Sequence, residues 1–143
     1  MHTVRKILVL LMLVAALGVL TGCEAESTRL PANQLLLGAG DTKVDFAERF
    51  VFPWDRVYVF VPYTTSKAID SALGFEWPGY KGSVIGDSDA VTLVVFVKDG
   101  KVAGWFEQSR EVDLVGLAKP DGYAHDDAVF SVEASGTGVG LQP

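Results

Sequence analysis

The sequence predicts an α+β domain: an antiparallel sheet of about four or five strands with one short helix packed on it. Three observations carry that expectation. Residues 90–97 (Ala-Val-Thr-Leu-Val-Val-Phe-Val) form an apolar, β-branched run, and Asp99-Gly100 follows between Lys98 and Lys101 as the dipeptide of a tight hairpin turn. Residues 56–61 (Arg-Val-Tyr-Val-Phe-Val) have the same β-branched and aromatic character and stop at Pro62. Between the two runs, Thr65 can cap a short helix that carries Ile69, Ala72 and Leu73 on one stripe and ends at Gly74.

In chain order, residues 44–52 are ambiguous. Val44, Phe46, Phe50 and Phe52 can line one strand face, while Asp45-Phe46-Ala47-Glu48-Arg49 suits a helical turn. The 56–61 strand and the helix after Thr65 follow. Residues 83–85 suit a short strand. The 90–97 run is apolar on both faces and is expected at the centre of the sheet, with 102–108 returning antiparallel to it. Residues 128–134 set Ala128, Phe130, Val132 and Ala134 against Ser131 and Glu133, a half-exposed last strand. One sheet face is expected to bury Val57, Val59, Leu93, Val95 and Phe130 against the helix. Each such side chain contributes about 1.5–3 kcal/mol on burial.

Ahead of the domain, Arg5 and Lys6 precede a run from 7 to 20 that is almost entirely Leu, Val, Ala and Met. It is shorter than the roughly 20 apolar residues that cross a bilayer. It closes on Leu20-Thr21-Gly22-Cys23. The arrangement resembles a bacterial lipoprotein signal with its lipobox. An uncleaved single-span anchor and a secreted protein cut elsewhere are the competing readings. On the lipoprotein reading, 1–22 is the signal peptide and 23–41 a lipidated flexible tether, in which Leu35-Leu36-Leu37 can dock on the domain. Residues 42–135 form a single α+β domain, and 136–143 a glycine-rich tail expected to fray.

The resemblance implies a diacylglyceryl group on the Cys23 sulfur, often with a third acyl chain on its amine. Each buried methylene contributes about 0.8 kcal/mol, so two or more chains hold a protein stably where one does not. Cys23 is the only cysteine. Its thioether would leave no thiol for a disulfide, a metal site or catalysis, and the domain must then be stabilised by its core. Glu24 follows the cysteine, where an aspartate tends to mean inner-membrane retention. The periplasmic face of the outer membrane is therefore preferred to the outer face of the cytoplasmic membrane.

The precursor's formal charge is −6, and removing Arg5 and Lys6 with the signal leaves −8. An acidic domain repels phosphate backbones, so a nucleic-acid partner is not expected. The expected partners are the membrane, through lipid on Cys23, and an envelope protein or glycan.

Five constellations could carry chemistry. Trp54 and Asp55, with Arg56, Tyr58 and Tyr63, place an aromatic and a carboxylate at a strand entrance, which suits a sugar or peptide stem; the same residues can simply fill the core edge and cap a turn. His125-Asp126-Asp127, near Asp121, holds the one histidine after the signal. Zinc needs three or four N or S ligands, and the spacing is not that of a calcium loop, so no metal or other cofactor is expected. Asp87-Ser88-Asp89 can be a carboxylate pair or an ordinary β-turn. No Gly-x-Ser-x-Gly elbow supports a nucleophilic serine, and His125 is the sole imidazole candidate for a base. Trp77-Pro78-Gly79-Tyr80 is either a contact surface, in which Trp77 and Tyr80 anchor a partner, or packing over the helix end.

Residues 52–64 (Phe-Pro-Trp-Asp-Arg-Val-Tyr-Val-Phe-Val-Pro-Tyr-Thr), the helix ending Ala72-Leu73-Gly74-Phe75, and residues 93–102 resemble a group of small bacterial lipoproteins and exported proteins. The likeness covers about 44–110 and implies an envelope location without a mechanism. Two function classes follow. The first is a non-enzymatic envelope lipoprotein that works as a binding or accessory module. The alternative is a small periplasmic hydrolase or glycan- or peptidoglycan-active protein using Asp55, Asp87, Asp89 or His125. A carboxylate pair within about 5–10 Å would favour the second.

Overall fold

A computed structural model of the chain describes residues 27–38, 40–136 and 138–143; Cys23 and the segment before it lie outside the described residues. The fold is α+β and mostly β, with two sheets. The larger runs β1 (Thr28–Arg29), β5 (Lys101–Ser109), β4 (Val91–Lys98), β3 (Arg56–Phe60), β7 (Tyr123–Ala124). The smaller runs β2 (Lys43–Asp45), β8 (Val129–Ser135), β9 (Gly138–Gln142), β6 (Val112–Asp113). The long strands are all interior to their sheets. The four edge positions are held by β1, β7, β2 and β6, of 2, 2, 3 and 2 residues.

The β4–β5 hairpin forms where the turn dipeptide directs it. Lys98 pairs with Lys101, and Asp99 and Gly100 take φ of 50° and 72°, the left-handed pair that a two-residue turn between twisted strands requires. One helix, α2 (Ser66–Leu73), has Thr65 accepting from the Ala68 N–H at 3.3 Å and Gly74 at φ 82° as its stop. The ambiguous stretch 44–52 resolves into both of its readings in succession. β2 ends at Asp45, whose carboxylate then caps the single turn α1 (Phe46–Arg49) by accepting from Ala47 and Glu48 N–H.

Both faces of the larger sheet are buried. One packs on the smaller sheet through Val57, Val59, Val94, Phe96, Phe106 and the opposing Phe46 and Phe130. The other packs under α2 through Tyr58, Phe60, Leu93, Val95, Trp105, Ile69 and Leu73. The expectation that Val57, Val59, Leu93, Val95 and Phe130 share the helix face is thus corrected. The register pairs Val59 with Val94 and Tyr58 with Val95, so Val57 and Val59 turn away from the helix while Leu93 and Val95 face it. Phe130 belongs to the other sheet.

Three segments differ from their expected form. Residues 83–85 form no strand; Ser83 Oγ and Val84 N–H both donate to Glu107 Oε1 at 2.7 Å, so a side chain stands where strand pairing was expected. Residues 28–37, expected as a tether in which Leu35-Leu36-Leu37 can dock on the domain, lie along β5 over more of their length than that. β1 pairs with it in parallel, Leu30 and Asn33 N–H donate to the carbonyls of Trp105 and Glu107, and Gln108 Oε1 accepts from Leu35 N–H. Leu35 itself is buried in the core between the sheets. Residues 138–142, expected to fray, form β9, which joins β8 to β6. Its glycines leave a strand that backbone pairing alone can hold, with Leu141 fully buried as its apolar anchor.

Thr92 Oγ1 is buried with no hydrogen-bond partner among the described residues. A buried hydroxyl without a partner costs about 1–3 kcal/mol of desolvation. Thr92→Val keeps the branched shape and should raise stability by about 0.5–1 kcal/mol, read from the urea midpoint at constant slope. A loss of similar size would show that the hydroxyl is bonded after all.

Candidate functional site

At the hairpin end of the larger sheet, on its helix side, lies a cleft of about 610 Å³. Its floor comes from two elements. Trp105 projects from β5 toward the helix face, and Trp77 opens the 3-10 turn Pro78–Gly82 that follows α2. The indoles meet edge to face at 5.4 Å between centroids. Trp77 is fixed at both ends: its backbone N–H donates to Asp70 Oδ1 at 2.8 Å, and its ring nitrogen reaches Ser27 Oγ at 3.4 Å. Its ring lies against Gly79, where any Cβ would overlap it, so glycine is required there by close approach.

Charge enters at the rim. Arg29, in β1, stacks its guanidinium over Trp105 at 4.9 Å and pairs with Glu107 Oε2 at 3.2 Å. Glu107 is buried, and its other oxygen holds Ser83 and Val84, so one carboxylate ties β1, β5 and the 83–84 loop together. Lys101 is exposed at the hairpin and makes no ion pair among the described residues. Glu76 supplies a carboxylate to the same lining. The indoles are nearly covered, Trp77 at 5% and Trp105 at 4% exposure, so the cleft offers chiefly two cations and one anion around a small aromatic floor.

The sequence-predicted residues fall in three places. Trp77 is in the cleft. Tyr80, expected beside it, is half-buried under the next turn, with its hydroxyl against Gly86. Trp54 and Asp55 lie on a shallow surface with His125. Trp54 is buried and donates its ring N–H to the Phe50 carbonyl at 2.9 Å, which completes a core position. His125 lies over that ring at 4.5 Å and faces Asp126 Oδ1 at 2.8 Å. No serine, threonine or cysteine lines that surface. Asp55 accepts from Lys98 Nζ at 2.7 Å and from Asp99 N–H at 2.9 Å, clamping the hairpin turn.

The turn amide of Asp99 first, and Lys98 second, hold the Asp55 carboxyl below the usual carboxylate range. Asp55 in turn raises Lys98. A depressed carboxylate contributes stability above its unfolded value, about 3.9, which is lost as pH falls through the lower folded value. The raised lysine contributes below its ordinary value and loses it as pH rises through the folded one. The clamp is thus intact at neutral pH and opens in acid. NMR titration of the Asp55 carboxyl should give a midpoint below about 3.9. A midpoint at or above that value would show that the turn is not clamped.

Asp87 and Asp89 are exposed on the turn before β4, whereas Asp55 is bonded at its other end. Eight residues of strand put the two groups more than about 20 Å apart. The pair chemistry of glycoside hydrolysis needs less than half of that. Among the described residues, no group of three or more His, Cys, Asp or Glu is placed to hold a metal ion, and no helix is long and apolar enough to cross a membrane.

Arg29, Lys101 and Trp105 were not singled out in the sequence. The one available signal was Gly104-Trp105 three residues after Lys101, just beyond a hairpin turn. No family model matches the chain, and no curated protein or solved structure matches it.

Proposed function

We propose that this protein is a non-enzymatic binding module of the bacterial cell envelope, anchored by lipid on Cys23, and that it takes an envelope component into the Trp77–Trp105 cleft. The observation that carries the reading is the cleft itself: two fixed indoles with Arg29 and Lys101 at the rim, at the end of the domain where the chain arrives from Cys23. Asp55 and the exposed Asp87–Asp89 turn sit at opposite ends of β4 and form no carboxylate pair with each other, which favours the binding module over the hydrolase alternative. The periplasmic face of the outer membrane remains the preferred location.

In-cell photocrosslinking tests this. A crosslinker at Lys101 should give an adduct with one reproducible envelope component, and Trp77→Ala should reduce its yield about tenfold or more, the loss of a buried aromatic anchor. A crosslinker at Asp87, at the far end, should give none. Adducts that form equally from both positions, or that ignore Trp77→Ala, would overturn the cleft as the binding site.

A further inference from the structure

We propose that the ligand of the cleft is the zwitterionic head of a phospholipid, a phosphate diester with an ammonium group, in the leaflet that carries the protein's own anchor. The inference rests on the lipoprotein reading of Cys23 and goes further, to the ligand class.

Two independent features point to it. The first is reach. β1 is locked to Gly104 and Trp105 of β5 from Thr28 onward, and Ser27 already lines the cleft. The span from Cys23 to Ser27 is four residue steps, at most about 14 Å fully extended. The expected leash of 23–41 would have let the domain roam, but the docked β1 holds the cleft rim at the membrane surface.

The second is charge complementarity. Lys101 lacks a protein carboxylate, and Arg29 is only half-covered, so the rim can take a phosphate. Glu76 lines the same cleft and offers its carboxylate to a cationic head group. A purely anionic ligand would meet Glu76 and a domain of net charge −8 once Arg5 and Lys6 are removed from −6. A phosphate–ammonium head has a partner for each charge. The apolar part of the lining, Phe75 and Pro78 with the small exposed parts of Trp77, Trp105 and Val102, suits the glycerol and acyl carbons next to it.

The test uses the full lipidated chain in maltoside micelles, which contain no phosphate. Tryptophan emission is followed while glycerophosphoethanolamine is added, then inorganic phosphate. Saturable binding of the first is expected, with phosphate and the Lys101→Glu variant each about tenfold weaker, the loss of one charge-assisted contact. Lys101→Arg should restore it. Equal binding of inorganic phosphate would make the cleft a free-phosphate site. No saturation would overturn the ligand class, and a protein or glycan adduct at Lys101 would then name the occupant instead.

The second arm places the chain in nanodiscs of phosphatidylethanolamine doped with a head-group spin label. Quenching of the emission, lost in Lys101→Glu, is expected. Binding in micelles without quenching in nanodiscs would assign a soluble phosphodiester rather than a membrane lipid. The mass of the Cys23 peptide separates the two layers of the argument: if it carries no acyl group the anchor reading fails, while the micelle titration still decides the chemistry of the cleft.

Discussion

Phe96→Ala is expected to remove about 3–5 kcal/mol of stability, roughly a fifth or more of the about 5–15 kcal/mol that a domain usually has. Phe96 is fully buried at the middle of the core between the sheets. Its ring centroid lies 4.8 Å from Phe50, 5.1 Å from Phe52, 5.2 Å from Trp54, 6.2 Å from Phe106 and 6.4 Å from Phe46. These neighbours come from α1, from the loop after it and from β5, so they cannot all close on the space left behind. The cost is therefore the lost transfer energy plus a cavity. The urea midpoint should fall with an unchanged slope. Val51→Ala is the matched control: Val51 is 88% exposed, and its loss should stay within about 0.5 kcal/mol. Equal shifts in the two variants would mean that the aromatic cluster does not form as described.

Cys23→Ala is expected to abolish lipid attachment and the cut between Gly22 and Cys23, leaving a precursor that retains residues 1–22. The change is all-or-none, because Cys23 is the sole thiol that can form the thioether. Metabolic acyl labelling should drop to background and the intact mass should rise by the retained signal. Acyl chains contribute about 0.8 kcal/mol per methylene, so losing two or three of them removes the whole of the lipid's contribution to anchorage. Acyl label persisting in the variant would place the lipid elsewhere and retire the lipobox.

The elements set by local chemistry were legible. Asp99-Gly100 fixes its hairpin because few other pairs tolerate two successive left-handed residues, and Thr65 and Gly74 bound α2 through their own backbone preferences. What depends on distant partners was not. Three strands of two residues, β1, β6 and β7, are too short to carry a period, so the second sheet could not be separated from the first. Trp105 shows the limit most sharply. A regular two-residue turn would pair it with Val94 and point it into the core between the sheets. The register shift between Phe96 and Val97 admits one extra residue on β5, pairs Trp105 with Val95 and turns the indole to the helix face. The cleft exists because of that one-residue shift. Trp77 was legible only as either a contact residue or packing over the helix end, and the structure buries it beside the helix at 5% exposure; its partner indole and Arg29, which comes from a segment 76 residues away from Trp105 in sequence, were not legible.

The short edge strands would matter to the protein if, as proposed, it is held on a surface. Anchored molecules share two dimensions, meet often and stay mutually oriented, conditions in which an open strand edge recruits its neighbour into a continuous sheet. Here β5, the longest strand, has its outer edge covered by the chain's own β1, and the other three edges offer only two or three residues each. With the proposed anchor, copies could then crowd on a membrane without polymerising through their backbones. On the proposed lipid anchor, the segment that leads toward Cys23 is the same one that covers the outer edge of β5.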